Sequence, residues 1–318
     1  MKKLSLVPAN TKIKFVGRRK LFFIFSALLV AASLALGMTR GLNFGIDFEG
    51  GIMIEVRMPE AGRLGEMRSQ LGNLGLGEVT LQEFGSPTDI LIRVQRQEGG
   101  ERAQQVAIDK VKGTLGPNVE YRRTEFVGPQ VSEELFRDGV LAVLFAMTGI
   151  LIYIWFRFEW QFGVGAIIAL AHDVITTIGV FSITGIEFNL ATVAAILTIA
   201  GYSINDTVVV YDRVRENLRK YKTMSLVELL NMSVNETLSR TVMTSVTTLL
   251  ALLSLYILGG EVIRGFSFAL IWGVLIGTYS SICLAVPLLL YLNVNRGTEK
   301  AADNTPGGTP QAEAEPGE

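Results

Sequence analysis

Six stretches of this chain are long and apolar enough to cross a bilayer, and no other feature constrains its fold as much. A helix rises about 1.5 Å per residue, so a hydrocarbon core of about 30 Å needs roughly 20 mostly apolar residues. The stretches lie near residues 21–38, 140–156, 163–184, 188–210, 238–258 and 266–292. Composition agrees: only 19% of the 318 residues are charged, against about 25% in a typical soluble domain, and the mean hydropathy is +0.38. Pro287 is expected to kink the last span, which neighbouring helices accommodate. The first stretch is read as a span and not as a cleaved signal, because no A-x-A-like site follows it. The single Cys283 and single His172 exclude, within one chain, a disulfide framework or a metal site built mainly from Cys and His.

Charge placement predicts the orientation. Residues 1–20 carry seven basic side chains (Lys2, Lys3, Lys12, Lys14, Arg18, Arg19, Lys20) and no acidic one, which the positive-inside rule assigns to the cytoplasm. Six spans then put both termini inside. The connection at 212–222, with five basic and two acidic residues, falls on the same side, while the short connections 185–187 and 259–265 show no basic excess.

Between the first two spans, residues 39–139 are long enough for a small extracytoplasmic domain with its own core. Strands are predicted at Gly51–Met58, Glu78–Phe84, Asp89–Gln95 and Val119–Phe126, and helices at Glu60–Leu74 and Glu101–Leu115. The order β-α-β-β-α-β is a ferredoxin-like pattern. Ser132–Asp138 is expected to start a lateral amphipathic helix before the second span. The end of the chain, 293–318, is read as a cytoplasmic tail, its Gly-, Pro- and acid-rich part from 297 onward too poor in apolar residues to fold. The fold class is therefore a polytopic α-helical membrane protein with one α+β domain between helices 1 and 2.

Ionisable groups within spans cost on the order of 2.5–3.5 kcal/mol each on insertion scales, so the few present demand a reason. Asp206 lies six residues before Asp212, about 9 Å from the cytoplasmic end of its span. Arg240 stands near the start of the next, antiparallel span, so the two can reach one depth and form an ion pair. Movement of Arg240 would change how readily Asp206 takes a proton. The alternative is a static pair that fixes packing. His172 and Asp173 sit near the midplane of the third span; neighbouring positions point about 100° apart, so the two are not expected to pair with each other. Asp173 is instead expected to bond the Thr176 and Thr177 hydroxyls or a partner helix. Asn205 adjoins Asp206, and Gly201, one turn before Asn205, is read as admitting another helix near Asp206. Thr244, Ser245, Thr247 and Thr248 form a hydroxyl band that either lines a wetted path or allows close packing. No phosphate-binding loop or Ser/His/Asp arrangement is present, so no enzymatic chemistry is expected.

GYSINDTVVVYDRVREN (201–217), the HD pair at 172–173, NETLSRTVMTSVTTL (235–249) with Gly259-Gly260, and GIDFEGG (45–51) together resemble the SecD/SecF family of bacterial protein-export membrane proteins, in the resistance-nodulation-division superfamily. The resemblance covers nearly the whole chain apart from the tail; its short first loop and length match the smaller subunit. It implies one half of a twelve-span arrangement in the bacterial cytoplasmic membrane, working with SecD and the SecYEG channel, with YajC as a further partner, on unfolded preproteins. The energy source implied is the proton-motive force, with no cofactor, metal or nucleic acid. Asp206 and Arg240 match the family's proton-relay positions; His172, Asp173, Asn205 and Thr244 are supporting polar residues, and Gly45, Asp47, Gly50 and Gly51 form the motif after helix 1. A passive assembly subunit and half of a small-molecule or lipid exporter are the competing readings.

Overall fold

The computed structural model describes residues 8, 11–60 and 64–294. Lys2, Lys3 and the expected disordered tail lie outside the described residues. Among the described residues, six helices are long and apolar enough to cross a membrane: α1 (Arg19–Arg40), α5 (Pro129–Arg157), α6 (Trp160–Thr184), α7 (Leu190–Lys220), α8 (Leu226–Leu258) and α9 (Arg264–Ser280) with its extension to Leu288. The short helix α2 (Ile46–Glu49) follows α1, and β1 (Gly51–Arg57), α3 (Leu64–Gly72), β2 (Val79–Phe84), β3 (Ser86–Val94), α4 (Gly100–Leu115) and β4 (Glu120–Val127) make up an α+β domain. A last turn, α10 (Val286–Leu288), ends the bundle.

Several helices run beyond the apolar stretches that announce them. The segment read as a connection at 212–222 is mostly the continuation of α7. Apolarity stops where the bilayer would, but DRVRENLRK is a good helix former, and Arg213 pairs with Glu216 one turn on and with Glu236 of α8. Helix α8 likewise starts at Leu226, where Ser225 accepts the Glu228 N–H and bonds the Glu228 carboxylate. Ser132–Asp138 belongs to one continuous α5 and forms no separate lateral helix. Before Pro287 the chain widens into a π-helical turn, Ser281–Ala285, which accommodates a residue without an N–H to donate.

The helices divide by burial. In α6, α7 and α9, 56%, 50% and 72% of the apolar window is buried, against 11%, 6% and 11% in α1, α5 and α8. The first three therefore form the interior, and the others keep wide faces for lipid or a partner. Tight glycine contacts set the spacing: a Cβ on Gly273 would strike Ile199, and one on Gly179 would lie 2.7 Å from the Ser33 Cα.

In the α+β domain the sheet order is β2-β3-β1-β4, with every neighbouring pair antiparallel. Strand alternation puts Ile52, Ile54, Val56, Ile90, Ile92 and Val94 on one face, against Met67 and Leu71 of α3 and Ala107, Ile108 and Val111 of α4. The other face is mixed. There Asp89 accepts a bidentate pair from Arg57 at 2.7 and 3.0 Å, and that guanidinium, with Arg122 nearby, holds the Asp89 carboxyl below the usual carboxylate range.

Candidate functional site: two buried carboxylates and the joint after helix 1

Asp173 of α6 is fully buried, and both oxygens of its carboxylate have partners. Oδ2 accepts from Ser203 Oγ of α7 at 2.6 Å and from Ser280 Oγ of α9 at 2.7 Å. Oδ1 lies 2.9 Å from His172 Nδ1. That contact corrects the expectation drawn from the helical wheel: backbone directions diverge by about 100°, but the two side chains still reach each other. Thr176 and Thr177 donate to the Asp173 backbone carbonyl and not to its carboxylate. Three interior helices thus meet on one side chain. His172 Nε2 is buried without a hydrogen-bond partner among the described residues.

Asp206, on the next turn of α7 from Ser203, is 7% exposed and only half satisfied. Oδ1 accepts from Thr241 Oγ1 at 2.9 Å, while Oδ2 has no partner among the described residues. The ion pair with Arg240 is not formed: Arg240 is exposed. Thr241 and Arg240 are consecutive on α8 and so point about 100° apart; when Thr241 faces Asp206, Arg240 turns outward. Asn205 and Gly201 are exposed too, and a Cβ on Gly201 would meet nothing within 4 Å. Gly201 therefore admits no helix of this chain; like Asn205 on α7 and Arg240 and Thr244 on the neighbouring α8, it is exposed.

The hydroxyl band resolves mostly into helix self-bonding. Thr244 donates to the carbonyls of Arg240 and Thr241, and Thr247 to those of Met243 and Thr244. Ser245 differs, meeting Thr278 of α9 at 2.7 Å. Besides His172, the direct partners of the two carboxylates are Thr241, Ser203 and Ser280, which no sequence motif singles out as ligands of a carboxylate. Spacing misleads at Ser203: it lies three residues before Asp206 on one helical face, yet it donates to Asp173 of α6.

The motif after helix 1 has a definite structural place. Phe44 forms a parallel bridge with Phe188 in the α6–α7 connection, Gly45 N–H donates to the Phe188 carbonyl at 2.9 Å, and Phe188 N–H donates to the Asn43 carbonyl at 2.8 Å. At Gly45 a Cβ would collide with Glu187 and crowd Asn189. Asp47 Oδ2 accepts the Leu190 N–H at 2.9 Å, at the first turn of α7, while Asn189 and Thr192 close a capping box beside it. Gly50 and Gly51 have φ of 71° and 113°, in the region that favours glycine, and a Cβ on Gly51 would sit 2.7 Å from the Val94 carbonyl. Arg93 of β3 donates to Asn43 Oδ1 at 2.8 Å and pairs with Glu187.

Residues 107–295 match the family described as protein export membrane protein SecD/SecF, C-terminal, and residues 36–58 match the SecD/SecF GG motif. The chain is 48% identical over 301 residues to the protein translocase subunit SecF of Rickettsia rickettsii, covering 93% of this chain and 97% of that one. To the SecF of Cereibacter sphaeroides it is 49% identical over 307 residues, covering 94% and 95%. Among solved structures, SecDF of Thermus thermophilus, a translocon-associated membrane protein, superposes with a TM-score of 0.80 at 37% identity, covering 89% of this chain. The chain spans 39% of the length of that SecDF chain. With its C-terminal family region, its GG motif and relatives alike over nearly their full length, the chain belongs to the SecD/SecF family of protein-export membrane proteins.

Proposed function

We propose that the chain is the SecF-type subunit of a SecD–SecF complex that uses the proton-motive force to promote late stages of preprotein translocation across the bacterial cytoplasmic membrane. It is a transport component with no cofactor, working beside the SecYEG channel, with YajC as a further partner. The basic edge at Lys12–Lys20 faces the cytoplasm, as do both termini, and the α+β domain lies outside. That domain takes the ferredoxin-like fold, a reading supported by its sheet order and by two helices on one face. The exposed α7/α8 surface carrying Asn205, Arg240 and Thr244 meets SecD.

The observation that carries the proton-coupled reading is the half-satisfied Asp206. A buried carboxylate with one free oxygen is unstable unless something supplies a donor, and a proton or the Arg240 guanidinium one residue from Thr241 does so. In the relay, Asp206 exchanges the proton and Arg240 swings toward or away from it. The passive alternative requires a permanent Asp206–Arg240 pair, which this conformation lacks. In vesicles carrying the reconstituted complex and the channel, Asp206→Asn abolishes the gradient-dependent enhancement of preprotein export while SecD still copurifies. Normal export by that variant refutes the relay.

A further inference from the structure

The motif after helix 1 ties Asp206's helix to the α+β domain. Helix α7 is 31 residues long, about 46 Å at 1.5 Å per residue. Asp206 follows Leu190 by sixteen residues, so it sits about 24 Å from the helix start. An uninterrupted helix is stiff over that distance, and a shift at Asp206 reaches its first turn. There the Leu190 N–H, which has no partner within the helix, is held by Asp47, a carboxylate placed against the positive end of the helix. Asp47 is four residues from Gly51, the first residue of β1, and β1 lies inside the sheet between β3 and β4. The other inner strand, β3, sends Arg93 to Asn43 and to Glu187 in the α6–α7 connection. Both inner strands of the domain are thus anchored where α7 begins, one through Asp47 and one through Arg93. The close approach at Gly45, and the two left-handed glycines that turn the chain from Asp47 into β1, leave this joint little slack.

We infer that Asp47 and Arg93 are positioning residues that transmit movement of α7 to the α+β domain, so that a change of charge at Asp206 repositions the domain. This rests on the proton-coupled reading of Asp206. A joint that only fastened the domain would support assembly, yet would not govern the domain's response to Asp206.

The test uses the full chain reconstituted with SecD, with spin labels at Gln105→Cys on α4 and Trp160→Cys at the start of α6. Asp206→Asn mimics the protonated carboxyl, and the expected result is a shifted label-to-label distance. Adding Asp47→Ala is expected to erase that shift, and Asp47→Ala alone to abolish gradient-dependent export while SecD still copurifies. Asp47→Asn, which keeps an oxygen for the Leu190 N–H, restores both. If Asp47→Ala does not assemble, Arg93→Gln combined with Glu187→Gln carries the same measurement. A shift that survives these substitutions, wild-type export by them, or loss of assembly in both overturns the joint. Wild-type export and no shift in Asp206→Asn itself is a different outcome, and it is the relay reading that then fails.

Discussion

Asp173 and Asp206 lie on packed neighbouring helices, one turn apart along the Ser203 face of α7, yet their surroundings are opposites. Asp173 is enclosed by α6, α7 and α9 and receives donors from His172, Ser203 and Ser280. Asp206 points toward α8, receives one donor from Thr241, and leaves one oxygen bare beside an uncovered surface. A carboxylate with partners on both oxygens is a strut. One left incomplete is stable only if its charge state or its neighbours change, and that is the property a coupling site needs.

The largest effect expected from this contrast is on stability. Asp173→Ala removes the buried acceptor of Ser203 and His172 and one of the two acceptors of Ser280, and should cost about 3 kcal/mol, read as a lowered unfolding midpoint of the detergent-solubilised chain. Asp206→Ala should cost clearly less, since it strands only Thr241. Equal losses would break the distinction. Next come two glycines that sample the two regions. Gly179→Ala forces α6 away from Ser33 of α1 and should cost about 1–3 kcal/mol. Gly201→Ala, with open space around it, should be neutral or gain up to about 1 kcal/mol in the isolated chain through helix propensity. If SecD covers the α7/α8 surface, the same Gly201→Ala weakens copurification with SecD, which would sharpen the view of that face as unfinished.

The smallest effect belongs to a third carboxylate, outside the spans. Arg57 holds the Asp89 carboxyl below its usual value. A group whose folded pKa is depressed contributes stability above its unfolded pKa and loses it as pH falls through the folded one. Protection of the β1 and β3 amides from hydrogen exchange should therefore fall only below about pH 4, and Asp89→Asn should remove that step. A loss centred near neutrality would assign the pH response to another group.

Local properties are legible in the amino-acid sequence. Apolar length is one, and it marks six spans; alternation is another, and it marks GIMIEVRM and DILIRVQ as strands, because each element's pattern is written within itself. The motif residues Gly45, Asp47, Gly50 and Gly51 are conspicuous as a group, but what Asp47 caps lies 143 positions further on, beyond anything spacing can show. Helix ends escape for a related reason: at Lys220 and Leu226 the boundary follows from caps and ion pairs with α8, not from where apolarity stops.

By itself the sequence determined that buried charges would be few and that Asp173 and Asp206 would be among them. The tertiary structure alone decided their partners. The direction of a side chain from a helix depends on the rotation of that helix about its axis, and one residue changes it by about 100°. That rotation is set by packing, and so Thr241 stands where Arg240 was expected, while Ser203 and Ser280 converge on Asp173 from two other helices.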